Sequence, residues 1–194
     1  MRFTHTASVA LLVLCSLGGC SRFESSHAPD STTSAARGTP TASPDTATTV
    51  TETGYGPLRI GMTLANAAAA LGSPAPSSAG PDSSCSYVHF ANEPPGMRIM
   101  INGGTVARIE VDSSTIATGL GARVGDSEAR IQELYGPRLS VEPHKYLAGG
   151  HYMIVTPFPP TDSNFRLVFE TDGSRVTTYR AGRLPEVTWV EGCA

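Results

Sequence analysis

Three residues in the second half of the chain, Glu142, His144 and His151, are of the types that ligate metals or move protons. Glu142 and His144 stand two apart, so on a strand they share a face, with His151 a short distance further on. A functional metal needs three or four converging ligands with supporting partners of their own, and only these three are on offer. Solvent-facing loop histidines are the simpler expectation, and no metal is expected. His89, inside a strand-like run, and His27, in a polar tract, stand alone. The chain has no Gly-x-Ser-x-Gly elbow, no His-Glu-x-x-His, no Walker loop and no calcium loop. Gly119-Leu120-Gly121 lacks the full Gly-x-Gly-x-x-Gly spacing and the βαβ setting of a dinucleotide site. Neither a cofactor nor an enzymatic activity is expected.

Cysteine is the other reactive type, with four in the chain. Arg2 precedes an apolar run, Ala7 to Leu17, of the length of a signal-peptide core. The segment Leu17-Gly18-Gly19-Cys20 then resembles the bacterial lipobox, in which small residues fit a peptidase cleft and the cysteine thiol is alkylated by a diacylglyceryl donor. The alternative is an ordinary leader with a chance cysteine, but no Ala-x-Ala site is well placed. We therefore expect residues 1–19 to be a lipoprotein signal peptide and Cys20 to carry lipid. Two or more acyl chains, at about 0.8 kcal/mol per buried methylene, anchor a protein where one does not. Ser21, not Asp, follows the cysteine. By resemblance to Gram-negative lipoproteins this implies the outer membrane, facing the periplasm. Cys15 is discarded with the leader, leaving Cys85 and Cys193, which in an oxidising periplasm are expected to pair. Two free buried thiols, or a metal pair, are the alternatives. No Cys-x-x-Cys is present, so the usual motif for thiol exchange is missing.

Charge narrows the partners. Lys+Arg 14 against Asp+Glu 17 gives a net charge of -3, Lys145 is the single lysine, and neither sign forms a block. A surface that binds nucleic acid by releasing counterions needs clustered cations, so no nucleic acid is expected. There is no run of about 20 apolar residues to span a bilayer. In residues 25–54, 24 of 30 are Ser, Thr, Ala, Pro or Gly. Such a tract buries too little apolar surface to offset ordering its backbone, so residues 20–54 are expected to be a lipidated terminus and a disordered linker.

Residues 55–194 are expected to form a globular α+β domain of two tandem repeats, about 55–115 and 120–194. Arg59-Ile60-Gly61-Met62-Thr63 leads into Leu64 to Leu71 and Gly72. Sixty-four residues later, Arg123-Val124-Gly125-Asp126-Ser127 leads into Glu128 to Tyr135 and Gly136. Thr63 and Ser127 suit helix N-caps, and the glycines suit helix ends. Behind each helix the apolar period becomes two. Met97, Ile99 and Ile101 precede Asn102-Gly103 and then Ala107, Ile109 and Val111; Phe165, Leu167 and Phe169 precede Asp172-Gly173 and then Val176 to Tyr179. Ser86 to Phe90 and His151 to Val155 are further strands, and Val187 to Glu191 is expected to close the sheet. The expected architecture is a helix plus an antiparallel β-meander, given twice, with the helices packed on one face of the sheet.

The run Arg59-Ile60-Gly61-Met62-Thr63, with a short helix ending Leu71-Gly72-Ser73-Pro74, resembles the opening motif of the SmpA/OmlA family. These are small outer-membrane lipoproteins that accompany the β-barrel assembly machinery. The tandem copy is similar to the β-lactamase-inhibitor-protein-like arrangement, in which two such units form a concave sheet that grips a partner.

The same alternation puts Arg98, Arg108 and Arg166 on the face away from the helices, with Tyr87 and Tyr179 as aromatic neighbours. Arginine and tyrosine dominate binding hot spots, so these five are the candidate partner-binding residues. The expectation is a non-catalytic, lipid-anchored periplasmic module that binds another envelope protein in outer-membrane assembly or maintenance. The alternative is a tethered inhibitor of a hydrolase such as a β-lactamase or a lysozyme.

Overall fold

The structure, a computed structural model, describes residues 48–74, 84–158 and 163–194. These all fall in one compact unit, Thr41–Ala194. The expected signal peptide, Cys20, His27 and the expected linker up to residue 47 lie outside the described residues.

The motif that recurs in the sequence has a local physical meaning. Gly61 donates its N–H to the Val106 carbonyl (2.7 Å) and the Met62 carbonyl accepts from Val106 N (2.8 Å). Gly125 and Asp126 hold Val176 through the same pair of bonds, at 2.8 and 2.9 Å. Both glycines sit at positive φ, +91° and +94°, a conformation that side chains bearing a Cβ disfavour. Each motif thus clasps a strand and then starts a helix. Thr63 caps α1 (Leu64–Ala70) by accepting from Asn66 N, and Ser127 caps α2 (Glu128–Tyr135) by accepting from Arg130 N at 3.2 Å. Replacing Ser127 with alanine leaves that N–H without its side-chain partner. The variant should be less stable by about 1 kcal/mol in urea unfolding.

The layout, however, is not two helix-plus-meander repeats with helices packed on one face. Among the described residues it is mostly β: two sheets, one of four strands and one of seven, with two short helices. The small sheet runs β3 (Leu58–Arg59), β2 (Gly54–Tyr55), β1 (Thr49–Thr51), β7 (Ala117–Thr118), with β1 and β7 parallel. The large sheet runs β4 (Cys85–Val88), β5 (Met97–Asn102), β6 (Thr105–Val111), β11 (Val176–Arg183), β10 (Phe165–Thr171), β9 (His151–Val155), β8 (Leu139–Pro143). It is continuous and antiparallel because β6 pairs with β11, Tyr179 opposite Val111 and Gly182 opposite Arg108.

The reason for the difference is size. Helices of seven and eight residues bury little more than Ala67, Ala68, Ile131 and Tyr135, too few groups to cover seven strands. The small sheet supplies the rest, with Val50 and Leu58 fully buried in one cluster with Ile99, Ile109, Phe169 and Tyr179. Its strands of two or three residues are too short to show a period, and β1 comes from the end of the Ser/Thr-rich tract. The second correction concerns Val187 to Glu191. After Pro185 the chain makes a 3-10 turn, Glu186–Thr188, and joins no strand of either sheet. Val187 is buried instead against Tyr152 and Val168, on the face of the large sheet opposite the main core.

Candidate functional site

On that second face, strand alternation lines up charge across three strands: Arg98 of β5 pairs in register with Glu110 of β6, which pairs with Arg180 of β11. Arg98 holds Glu110 at 2.8 Å, and its guanidinium lies 5.5 Å from the centre of the Tyr87 ring. Arg108 also contacts Glu110, and its Nη2 donates to the Tyr87 hydroxyl at 2.7 Å, while Tyr87 donates to Glu110. Burial, and then the hydrogen bond to the Glu110 carboxylate, push the Tyr87 phenol above its ordinary pKa. Arg180 pairs with Glu170 of β10.

The C-terminal segment covers this face. Arg108 Nη1 donates to the carbonyl oxygens of Glu186 (2.9 Å) and Trp189 (2.6 Å), and Arg180 Nε donates to that of Val187 (2.6 Å). An irregular segment lying on a sheet has carbonyls without ladder partners, and two sheet arginines supply the missing donors. Arg108 and Arg180 are accordingly only 2% and 6% exposed. Glu186, 4% exposed, accepts from Asn102 Nδ2 (2.9 Å) and from Arg183 Nε and Nη2 (3.0 and 2.9 Å). The end of the segment is fastened by the disulfide Cys85–Cys193 to β4, closing a sequence separation of 108 residues.

Burial alone would raise the Glu186 carboxyl, but the hydrogen bonds from Arg183 and Asn102 outweigh it and the net shift is downward. Glu128, beside the Thr171 hydroxyl and 2.8 Å from His151 Nδ1, is likewise lowered on balance against burial. A carboxyl whose pKa falls on folding contributes stability that is fully present above its unfolded value. That contribution is lost as pH drops through the folded value. Unfolding free energy should therefore hold steady through the weakly acidic range and fall below about pH 4. Glu186→Gln should cost about 1–3 kcal/mol at neutral pH. Its deficit relative to the parent should shrink as acid neutralises the parent's carboxylate; a deficit that is constant with pH would contradict this assignment.

The five candidate partner-binding residues part company here. Arg98 is exposed and Tyr87 half-buried beside it. Arg108 joins them but lies beneath the C-terminal segment, so it is not available as a surface contact. Tyr179 points the other way, into the main core, where it is fully buried and donates to the Ile116 carbonyl at 3.1 Å. Arg166 is half-buried, and its Nη1 donates to the Ser163 and Phe165 carbonyls, apart from the cluster.

Glu142, His144 and His151 do not converge. His151 faces Glu128, whereas His144 stacks on Tyr152 with Nε2 at 3.6 Å from Glu170. His144 Nδ1 accepts from Tyr146 N and Leu147 N, both at 3.1 Å, and so shapes the β8–β9 loop. Among the described residues no group of three or more His, Cys, Asp or Glu gathers as a metal set. His89 is exposed and bonded to Glu93. The partners missed in the sequence are Glu110, Arg180, Arg183, Glu186 and Asn102. Glu110 stands opposite Arg98 only because an irregularity between Met100 and Ile101 shifts the hairpin register by one residue, which the turn does not reveal; the others depend on where the C-terminal segment lies.

Among the described residues, two of the hollows beside the covering segment adjoin the disulfide and the charged row. One, of about 620 Å³, runs along the disulfide and is lined by Cys85, Asn102, Lys145, Trp189, Gly192 and Cys193, among others. The other, of about 270 Å³, lies between the Arg98–Glu110–Arg180 row and Val190–Gly192.

No protein-family model matches the chain, and no curated protein sequence matches it. Among solved structures it is similar to an extracellular protein containing a SCP domain from Bacillus anthracis strain Ames. The TM-score is 0.43 at 11% identity, over 72% of this chain and 47% of that one, so the chain spans about half the length of that protein. It is also similar to the uncharacterized protein yfeY from Escherichia coli, with a TM-score of 0.40 at 15% identity, over 70% of this chain and 100% of that one.

Proposed function

We propose that the chain is a lipid-anchored, non-catalytic protein-interaction module of the bacterial cell envelope. It is tethered through Cys20 to the outer membrane, faces the periplasm, and binds another envelope protein in outer-membrane assembly or maintenance. The observation that carries this reading is the Cys85–Cys193 disulfide. Disulfides persist in exported proteins and are rare in reducing cytosol, so the bond agrees with an N-terminal segment that reads as an export and lipidation signal. The resemblance of Arg59–Thr63 to the SmpA/OmlA opening motif points the same way. At the rim of the covered face, the exposed Arg98 lies over the ring of the half-buried Tyr87, a cation–aromatic combination that binding hot spots favour.

Cys20→Ser should move the protein from the membrane fraction to the soluble periplasmic fraction. The partner is read out by crosslinking in cells and recovery from solubilised membranes. Arg98→Glu together with Arg166→Glu, neither of them deeply buried, should reduce that recovery about tenfold, equivalent to about 1.4 kcal/mol. Unchanged recovery would remove this face as the interface.

A second reading, a tethered hydrolase inhibitor, draws on the β8–β9 loop. Tyr146 and Leu147 are 62% and 44% exposed on a loop held by His144 and by Gly150 N donating to Leu147 O, a preordered apolar tip of the kind that fills a cleft. Purified domain tested against a β-lactamase and a lysozyme separates the two: inhibition lost on Tyr146→Ala supports the inhibitor, and full hydrolase activity supports the interaction module.

A further inference from the structure

The C-terminal segment is held in two unequal parts. Up to Thr188 it is anchored by burial: Glu186 and Val187 are 4% and 0% exposed, with Glu186 Oε1 bonded by Arg183 and Asn102. Beyond Thr188 no residue is fully buried; Trp189, Val190, Gly192 and Cys193 are half-buried, and Glu191 and Ala194 are exposed. That outer part is held by the Trp189 carbonyl on Arg108, by Trp189 N donating to the Glu186 carbonyl (3.2 Å), by Val190 packed on the Tyr152–Val168–Val187 cluster, by Glu191 with the exposed Lys145 and Tyr146, and by the disulfide. An exposed ion pair contributes at most about 1 kcal/mol. The disulfide is the one covalent tie among these contacts, and the one that a thiol can undo.

What it holds down is specific. A Cβ at Gly192 would stand 2.5 Å from the Tyr87 hydroxyl and 3.3 Å from Arg108 Nη2, so the segment lies directly on these two groups. The hollow of about 620 Å³ opens onto both cysteines, giving a nucleophile room to reach the bond, and Lys145 lines it.

We propose that Trp189–Ala194 is a thiol-released lid, locked by Cys85–Cys193 over a Tyr87–Arg108 floor. A dithiol reductant supplies the chemistry. One of its thiolates attacks a sulfur of the bridge and expels the other cysteine as a thiolate, leaving a mixed disulfide; the second thiolate then attacks the reductant's own sulfur in that mixed disulfide and expels the remaining cysteine. The reductant leaves as its own disulfide; two electrons and two protons have passed to the chain as two thiols. The lid then pivots at Thr188 while Val187 stays seated, and Arg108 Nη1 and Tyr87 become open to a ligand offering carbonyl oxygens. The inference stands on the geometry of the segment and does not need the envelope role.

Trp189 is the single tryptophan and sits within the lid, so its emission reports the lid's position. The test compares the membrane-extracted chain in detergent before and after dithiothreitol, with alkylation confirming two new thiols. The expected result is a red shift of Trp189 emission with the far-ultraviolet circular dichroism of the sheet unchanged, and the same emission from Cys193→Ser without reductant. Unshifted emission after both thiols have formed would overturn the proposal. So would a shift accompanied by loss of the sheet signal, which would make the bond a staple of the whole fold, and so would a Cys193→Ser protein that emits like the oxidised parent.

Discussion

Replacing Arg108 with methionine should lower the stability of the domain by about 3–5 kcal/mol in urea unfolding, the range for breaking a buried charge network from one side. Methionine keeps most of the volume, so the loss is electrostatic and not a cavity effect. The Glu186 and Trp189 carbonyls lose their guanidinium donor, Glu110 loses one of its two cations, and Tyr87 loses a donor. Arg98→Met on the same face is the control. Its side chain is 48% exposed and its ion pair with Glu110 is wet on one side, so the expected cost is under about 1 kcal/mol. The contrast checks the covering of the face itself. Equal small effects at the two arginines would mean that water reaches Arg108 and that the C-terminal segment does not lie where it is described.

The second large effect concerns the disulfide. Cys85→Ser with Cys193→Ser removes a cross-link spanning 108 residues. In the chain-entropy account this returns freedom to the unfolded state worth about 4–5 kcal/mol. The double variant should therefore unfold at a clearly lower urea midpoint, with a slightly larger m-value because its unfolded chain exposes more surface. It should remain folded at room temperature, because the main core from Val50 to Ala181 lies on the other face and Val187 keeps its seat. The Arg108 effect should shrink in this background: once the lid is free, the Trp189 carbonyl no longer depends on that guanidinium. A double-mutant cycle measures this coupling, and full additivity would show that the two features do not share one segment.

Much of the local structure could be read from residue types. Thr63 and Ser127 announce helix starts, and Asn102-Gly103 and Asp172-Gly173 announce the turns of the two hairpins, because each requires a backbone state or side-chain acceptor that few residues supply. The alternation in β5, β6 and β10 shows which side chains share a face. What could not be read is what lies on each face. Arg98, Arg108 and Arg166 look alike in the sequence, all polar positions among apolar ones, yet one is exposed, one buried and one tied to its own loop. The difference comes from the path of Glu186–Cys193, where Val187, Val190 and Trp189 mimic a strand. The segment buries Val187 against Tyr152 and Val168 and satisfies its carbonyls with arginines instead of a neighbouring strand. Tyr179 was misplaced for a related reason. It lies on the apolar side of β11, and its hydroxyl is accommodated by the Ile116 carbonyl in a loop that no periodicity marks. The small sheet was invisible because two-residue strands carry no pattern.

The proposed role requires that the chain be exported, acylated at a new N-terminus and closed by one disulfide. Intact-mass spectrometry of protein extracted from bacterial membranes, alkylated with and without prior reduction, tests all three features in one experiment. The expected result is a chain starting at Cys20 and carrying the mass of a diacylglyceryl group and a further acyl chain, unmodified by alkylation until reduced, then alkylated at Cys85 and Cys193 only. A chain that retains residues 1–19 without lipid, or whose cysteines alkylate before reduction, would contradict it.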